Sequence, residues 1–200
     1  MSHAQSLMLE LDDVLSRTSS SRHVAILRRV TDLFVDGVER YSDDLIEVFD
    51  DVIGRLMESM DRSVLIELSG RLAPVGNAPL NVIGRLSSDN NINVSRPVLE
   101  QSTVLTDETL VDIARNKGQE HLAAIAARSR LGEAVTDILI ERGGPETMHK
   151  LVANKGACIS ELGFVRLISM AGRDRSLAAA IAERDDVPSE LRPFLEQALA

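Results

Sequence analysis

Side chains able to do chemistry are thinly spread along this 200-residue chain, and their spacing fits none of the common reaction centres. No histidine among His3, His23, His121 and His149 meets another histidine, a cysteine or a carboxylate at the interval of a metal motif such as His-Glu-x-x-His. Glu120 and His121 are adjacent, which on a helix turns the two side chains about 100° apart. Structural or surface roles are expected for all four. Cys158, the only cysteine, stands near a helix start where a thiolate could be stabilised, but Ala157 and Ile159 beside it predict burial as a small hydrophobe. One cysteine allows no internal disulfide and no thiolate cluster, and fits a reducing compartment.

No Gly-x-Ser-x-Gly elbow presents a nucleophile, and no glycine pattern follows a strand as a phosphate-cradling loop must; Gly143-Gly144-Pro145 reads as a turn. The chain is therefore expected to be no enzyme, with no catalytic residue, no metal ligand and no cofactor. Charge narrows the partners further. Lys and Arg number 22 against 31 Asp and Glu, a net charge of -9. Between Asp36 and Asp51 seven acids face the single base Arg40, a segment that repels phosphate-rich partners and reads either as solvated helix faces or as an acidic docking patch. Aromatic residues make up 2%, with no Trp and only Tyr41, which counts against base-stacking platforms. Neither nucleic acid nor a membrane is an expected partner.

The elements that position these residues recur. An aliphatic residue, a turn-forming one and then a helical apolar pattern repeat at Leu105-Thr106 with Leu110, Leu131-Gly132 with Val135, Ile159-Ser160 with Leu162, and Val187-Pro188 with Leu191. That step suits two helices of about ten residues with their turns, hence a row of helix pairs. Punctuation places outer helices near 78–87, 106–116, 131–142, 159–171 and 187–199, and inner ones near 93–101, 118–129, 144–153 and 174–184. Asn93 is expected to start one of them, with Pro97 in its first turn. Ala157 and Ile159 compete for the position that opens the helix near 159. Leu110, Ile113, Ile125, Val135, Ile138, Leu139, Leu151, Leu167 and Ile181 are expected in the core.

Upstream, Ser42 and Asp61 open two further helices, and Val52-Ile53-Gly54-Arg55-Leu56 returns as Val82-Ile83-Gly84-Arg85-Leu86, which reads as close packing of repeats around the glycines. The first forty residues read as two amphipathic helices, Leu7, Leu11, Val14 and Leu15 on one and Val24, Leu27, Val30, Phe34 and Val38 on the other, with Thr18 to Ser21 capping the second. The fold expected is all-α: a right-handed α-solenoid of HEAT/armadillo-like helix pairs over residues 42–200, behind an N-terminal helical cap over residues 1–41. Met1 to Leu15 lacks the basic start and apolar block of a secretion signal, and no eighteen apolar residues run together, so cytoplasm is the expected compartment.

Stacked inner helices align equivalent positions into a row, and Arg96, His121, Arg128, Lys150 and Arg184 fall there as candidate contacts for a protein or peptide partner. Arg128 and Arg184 stand three residues before an aliphatic turn position, where capping a helix end or pairing with acids near Asp185 is the simpler role. Self-association through the N-terminal helices is a third way to use the surface.

The runs Leu86-Ser87-Ser88-Asp89, Val94 to Ser102, Leu105-Thr106-Asp107 and Ala124 to Arg128 resemble a bacterial domain-of-unknown-function family, common in alphaproteobacteria (DUF 2336-like), over roughly residues 60 to 190. The resemblance implies HEAT-like or leucine-rich-variant-like helical repeats and no activity. Members are often longer, which leaves a whole protein and an N-terminal portion both open. A cytoplasmic protein-interaction scaffold is the expected function; the alternative is a HEAT-like nucleic-acid-binding protein or DNA glycosylase-type enzyme, against which the acidic balance counts.

Overall fold

A computed structural model describes residues 20–199. The first amphipathic helix, His3 and the Thr18-Ser19 part of the capping cluster lie outside them. The described residues are all-helical, with twelve α-helices, no named strand and one isolated bridge between Leu131 and Ala157. No helix among them is long and apolar enough to cross a membrane.

Two compact units divide the chain within one helix: the first runs to Val98 and takes in Ser102–Val104, the second holds Leu99–Gln101 and everything from Leu105. In the first, α1 (Ser20–Gly37), followed by a 3-10 turn, packs on α2 (Asp43–Met57) and α3 (Arg62–Leu72), while α4 (Leu80–Ser87) packs on α2 and α3. Phe34, Tyr41 and Phe49 cluster, the last two stacked at 5.2 Å. The Tyr41 hydroxyl donates to the Leu33 carbonyl at 2.7 Å, and its ring fills the space a Cβ on Gly37 would need. The other upstream glycines do not behave as the echoed pentapeptide suggests. Nothing lies within 4 Å of a Cβ built on Gly84, and only the Arg85 guanidinium approaches one on Gly54. What the echo supplies is the apolar stripe of Ile53, Leu56, Ile83 and Leu86, all buried, and the Gly54 carbonyl that accepts an Arg85 N–H at 2.8 Å.

Helix α5 (Ile92–Gln101) spans the division. Asn91 caps it, accepting from the Asn93 N–H at 3.0 Å, so Asn93 is already helical and Pro97 sits in the second turn. The second unit continues with α6 (Asp107–Asn116), α7 (Gln119–Ala126), α8 (Glu133–Arg142), α9 (Pro145–Ala153), α10 (Glu161–Ala171), α11 (Arg175–Ala182), a 3-10 turn and α12 (Arg192–Leu199). These helices form two rows. In one, α6, α8, α10 and α12 pack in succession; in the other, α7, α9 and α11 do. Helix starts follow the expected chemistry: Thr106 accepts from the Thr109 N–H, Ser160 from Gly163, and Asp174 from Ser176 and Leu177.

Eight of the nine expected core residues are buried, and Ile138 is not. The buried stripe of α8 runs through Val135, Thr136, Leu139 and Ile140, which rotates Ile138 to the half-exposed flank. Leu162 is likewise an outward residue, because the position one turn into α10 that meets Ile159 belongs to Gly163 and the buried Phe164. Around Leu131 the backbone is extended: its N–H donates to the Gly156 carbonyl and its carbonyl accepts from Cys158 at 2.9 Å. Side chains alternate along such a segment, so both Ala157 and Ile159 turn inward and Cys158 is exposed, against the expected burial.

Candidate functional site

Each α-helix ends with carbonyl groups that have no partner within the helix, and a stacked row multiplies such ends. In the row of α7, α9 and α11 these ends are met by side chains from one repeat further along. Arg128 donates to the Leu99 carbonyl at 2.5 Å, Asn154 to the carbonyls of Ala126 and Arg128 at 3.1 and 2.5 Å, and Arg184 to those of Val152, Asn154 and Ala157 at 3.2, 2.7 and 2.8 Å. The links are consecutive: Asn154 holds the backbone of Arg128, and Arg184 holds the backbone of Asn154. Lys155 reaches the other way, to the Glu183 carbonyl at 3.3 Å. The outer row has its own version, in which Arg142 at the end of α8 donates to the Ala114 carbonyl of α6. Gln119 closes the adjoining turn, donating to the Arg142 carbonyl and accepting from the Gly144 N–H.

Arg184 is the most enclosed of these groups, with 3% of its side chain exposed. It also pairs with Asp186 at 2.6 Å and lies 5.9 Å from the centre of the Phe164 ring. Burial lowers the pKa of the Arg128 guanidinium, and Asp107 offsets part of that shift. Of the five residues expected to face a partner, then, His121 and Arg184 are buried, while Arg128 is half-buried with its guanidinium on a backbone carbonyl. Lys150 is half-exposed and paired with Glu146 one turn earlier at 2.9 Å, and Arg96 is half-buried on α5. The simpler role weighed for Arg128 and Arg184, capping and acid pairing, is the one their geometry has. Asn154, Arg142 and Gln119 belong to the same system, and their signal in the sequence is spacing: each reaches a helix end roughly one repeat away.

His149 links rows of backbone caps to side-chain chemistry. Its Nε2 lies 3.1 Å from one carboxylate oxygen of Asp174, whose other oxygen caps α11. The Ser176 hydroxyl, the Leu177 N–H and, to a smaller extent, His149 hold the Asp174 carboxyl below its ordinary range. Among the described residues no three His, Cys, Asp or Glu side chains converge as a metal ion needs.

At the end of the outer row, α10 and α12 leave an apolar groove of about 720 Å³ lined by Val165, Ile168, Leu191, Phe194 and Ala198. Phe194 is 59% exposed and Leu162, on the same helix as Val165, 58%. A family model described as an uncharacterised protein conserved in bacteria (DUF2336) matches residues 94–195, half of the chain. The chain belongs to this family. No curated protein and no solved structure matches it. The DUF2336 stretch begins later than the expected residue 60: it runs from α5 into α12, takes in the whole relay of capping side chains, and leaves α1 to α4 outside.

Proposed function

We propose that this DUF2336 protein is a cytoplasmic, non-catalytic interaction module, a right-handed α-solenoid of HEAT/armadillo type that holds a protein or peptide partner. The observation that carries this reading is the α10–α12 groove, an apolar surface with an aromatic side chain at its lip in a protein whose other large aromatics are mostly packed away. The relay through Arg128, Asn154 and Arg184 supports it by fixing successive helix pairs, so that a surface built on them is preorganised. In this reading Arg128 and Arg184 position the helices, and Lys150, half-exposed on α9, is a polar residue of the same unit. The nucleic-acid or glycosylase alternative draws less support, because the guanidinium groups of Arg128, Arg142 and Arg184 are engaged by carbonyl oxygens rather than open to phosphate.

The test is capture from native cytosol by the wild-type chain and by a Val165→Asp/Phe194→Asp variant, both changes being at exposed positions that line the groove. Loss of the captured polypeptide with helicity and melting temperature kept is the expected result. Capture that survives this variant but is lost on Lys150→Glu would move binding to the polar row, and loss only on deleting residues 1–40 would move it to the N-terminal helices.

A further inference from the structure

The first unit carries a second groove, of about 380 Å³, between α2 and the N-terminus of α4. Its apolar surface comes from Ile46, Ala78, Val104 and Leu80, and Leu80 is 66% exposed although it is the first residue of a helix with a buried face. The α2 wall is Asp43, Ile46, Glu47 and Asp50, spaced so that all four share one helix face. Asp50 is buried and already engaged: its two oxygens accept the N–H groups of Asn81 at 2.9 Å and Val82 at 2.8 Å. That contact fixes α4 against α2 and satisfies the N–H groups that would otherwise make this helix start attractive to an anion. Asp43 and Glu47 are exposed and have no ion-pair partner among the described residues. Arg55, in the last turn of α2, and Arg85, on α4, both pair with Glu58.

We propose that this groove binds a cationic amphipathic segment of a partner protein, an aliphatic or aromatic side chain seated against Leu80 and Ile46 with Lys or Arg beside it facing Asp43 and Glu47. Charge complementarity chooses the occupant. An acidic or neutral segment would leave two carboxylates facing it without compensation, and an anionic membrane surface would be repelled by the same groups. The apolar floor separates this from a general attraction for polycations, since it rewards an anchor that polylysine lacks. The site lies in a different unit from the α10–α12 groove and outside the DUF2336 match for all but Val104, so it stands whether or not that groove binds a partner.

The experiment is a fluorescence anisotropy titration of the full chain with a labelled Leu/Lys amphipathic helical peptide of about fourteen residues, long enough to span a groove of this size. A second peptide has every Leu replaced by Ala at unchanged charge. Saturable one-to-one binding is expected, weaker by about tenfold for the Ala peptide, for Leu80→Ser and for Asp43→Asn/Glu47→Gln. Glu39→Gln/Asp44→Asn, which neutralises acids of the same segment outside the groove, should change affinity by less than about twofold. Circular dichroism must show every variant folded, which the exposure of all the altered side chains favours. Equal binding of the two peptides, or no effect of Leu80→Ser, would reduce the groove to a polyanionic surface and overturn the proposal. So would an equal loss on neutralising Glu39 and Asp44.

Discussion

The two units join their helices by different means. In the second, long side chains from one repeat meet backbone carbonyls of another, and the groups concerned are buried or half-buried. In the first, the links between α1 and α3 are exposed side-chain pairs, Arg28 with Glu67 and Arg71 with Asp32. An exposed pair exchanges water for a partner at little net gain, whereas a donor withdrawn from a buried carbonyl leaves an unmet desolvation cost. The second unit therefore ties its geometry to a few polar residues, and the first relies more on its apolar stripe and leaves Asp43 and Glu47 available.

Arg184 is where that contrast is largest. Arg184→Ala removes the donor for three carbonyls and should destabilise by about 3 kcal/mol in chemical denaturation. Arg71→Ala should cost less than about 1 kcal/mol. Equal losses at the two positions would break the comparison. Arg184→Lys sharpens it: an ammonium keeps the charge but lacks the planar fork that reaches carbonyls and Asp186 together, so most of the loss should remain.

How far the sequence discloses this architecture depends on whether a feature is local. Most helix ends from residue 80 onward fall within about two residues of their punctuation, because Thr106, Ser160 and Asp174 act on N–H groups two or three residues away, whereas α7 stops at Ala126 rather than near 129 and α12 begins at Arg192, after a 3-10 turn, rather than near 187. The exposure of Cys158 depends on an extended backbone set by Leu131, and the rotation of Ile138 out of the core depends on which neighbours α8 meets. Neither can be read from a window of neighbouring residues. The direction of the candidate side chains is not legible in the sequence either: Arg128 and Arg184 turn to carbonyls about thirty residues back in the chain. The groove between α2 and α4 was visible only as an acidic run, since Leu80 and Val104 come from other elements.

Asp50 is the first unit's nearest counterpart to those buried links, a carboxylate that holds the start of α4 from another helix. Asp50→Ala should lower stability by about 1–2 kcal/mol, the range of a lost N-terminal cap. A loss as large as that of Arg184→Ala would erase the distinction between the units. Smaller and opposite in sign is Gly84→Ala. A Cβ there meets open space inside a helix, so the change should stabilise by about 0.5–1 kcal/mol. Gly37→Ala, where the Tyr41 ring occupies the space, should destabilise instead.

The smallest expected effect lies in acid. The Asp174 carboxyl is held below its ordinary range first by the Ser176 hydroxyl, then by the Leu177 N–H, with His149 adding to both. A depressed carboxylate stabilises the fold above its unfolded pKa of about 3.9, and the contribution fades as pH falls through the lower folded value. Glu67 in the first unit is depressed too, but by its exposed partner Arg28. Melting temperature followed from pH 7 down to about pH 2.5 should therefore fall less steeply below about pH 4 for Asp174→Asn, which keeps an acceptor for the cap but does not titrate. The same flattening is expected for Glu67→Gln at low salt, and added salt should remove much of it, since an exposed ion pair is screened and a cap to backbone N–H groups is not. A salt-sensitive Asp174 and a salt-insensitive Glu67 would reverse the contrast between a carboxylate held by a backbone cap in the second unit and one held by an exposed ion pair in the first.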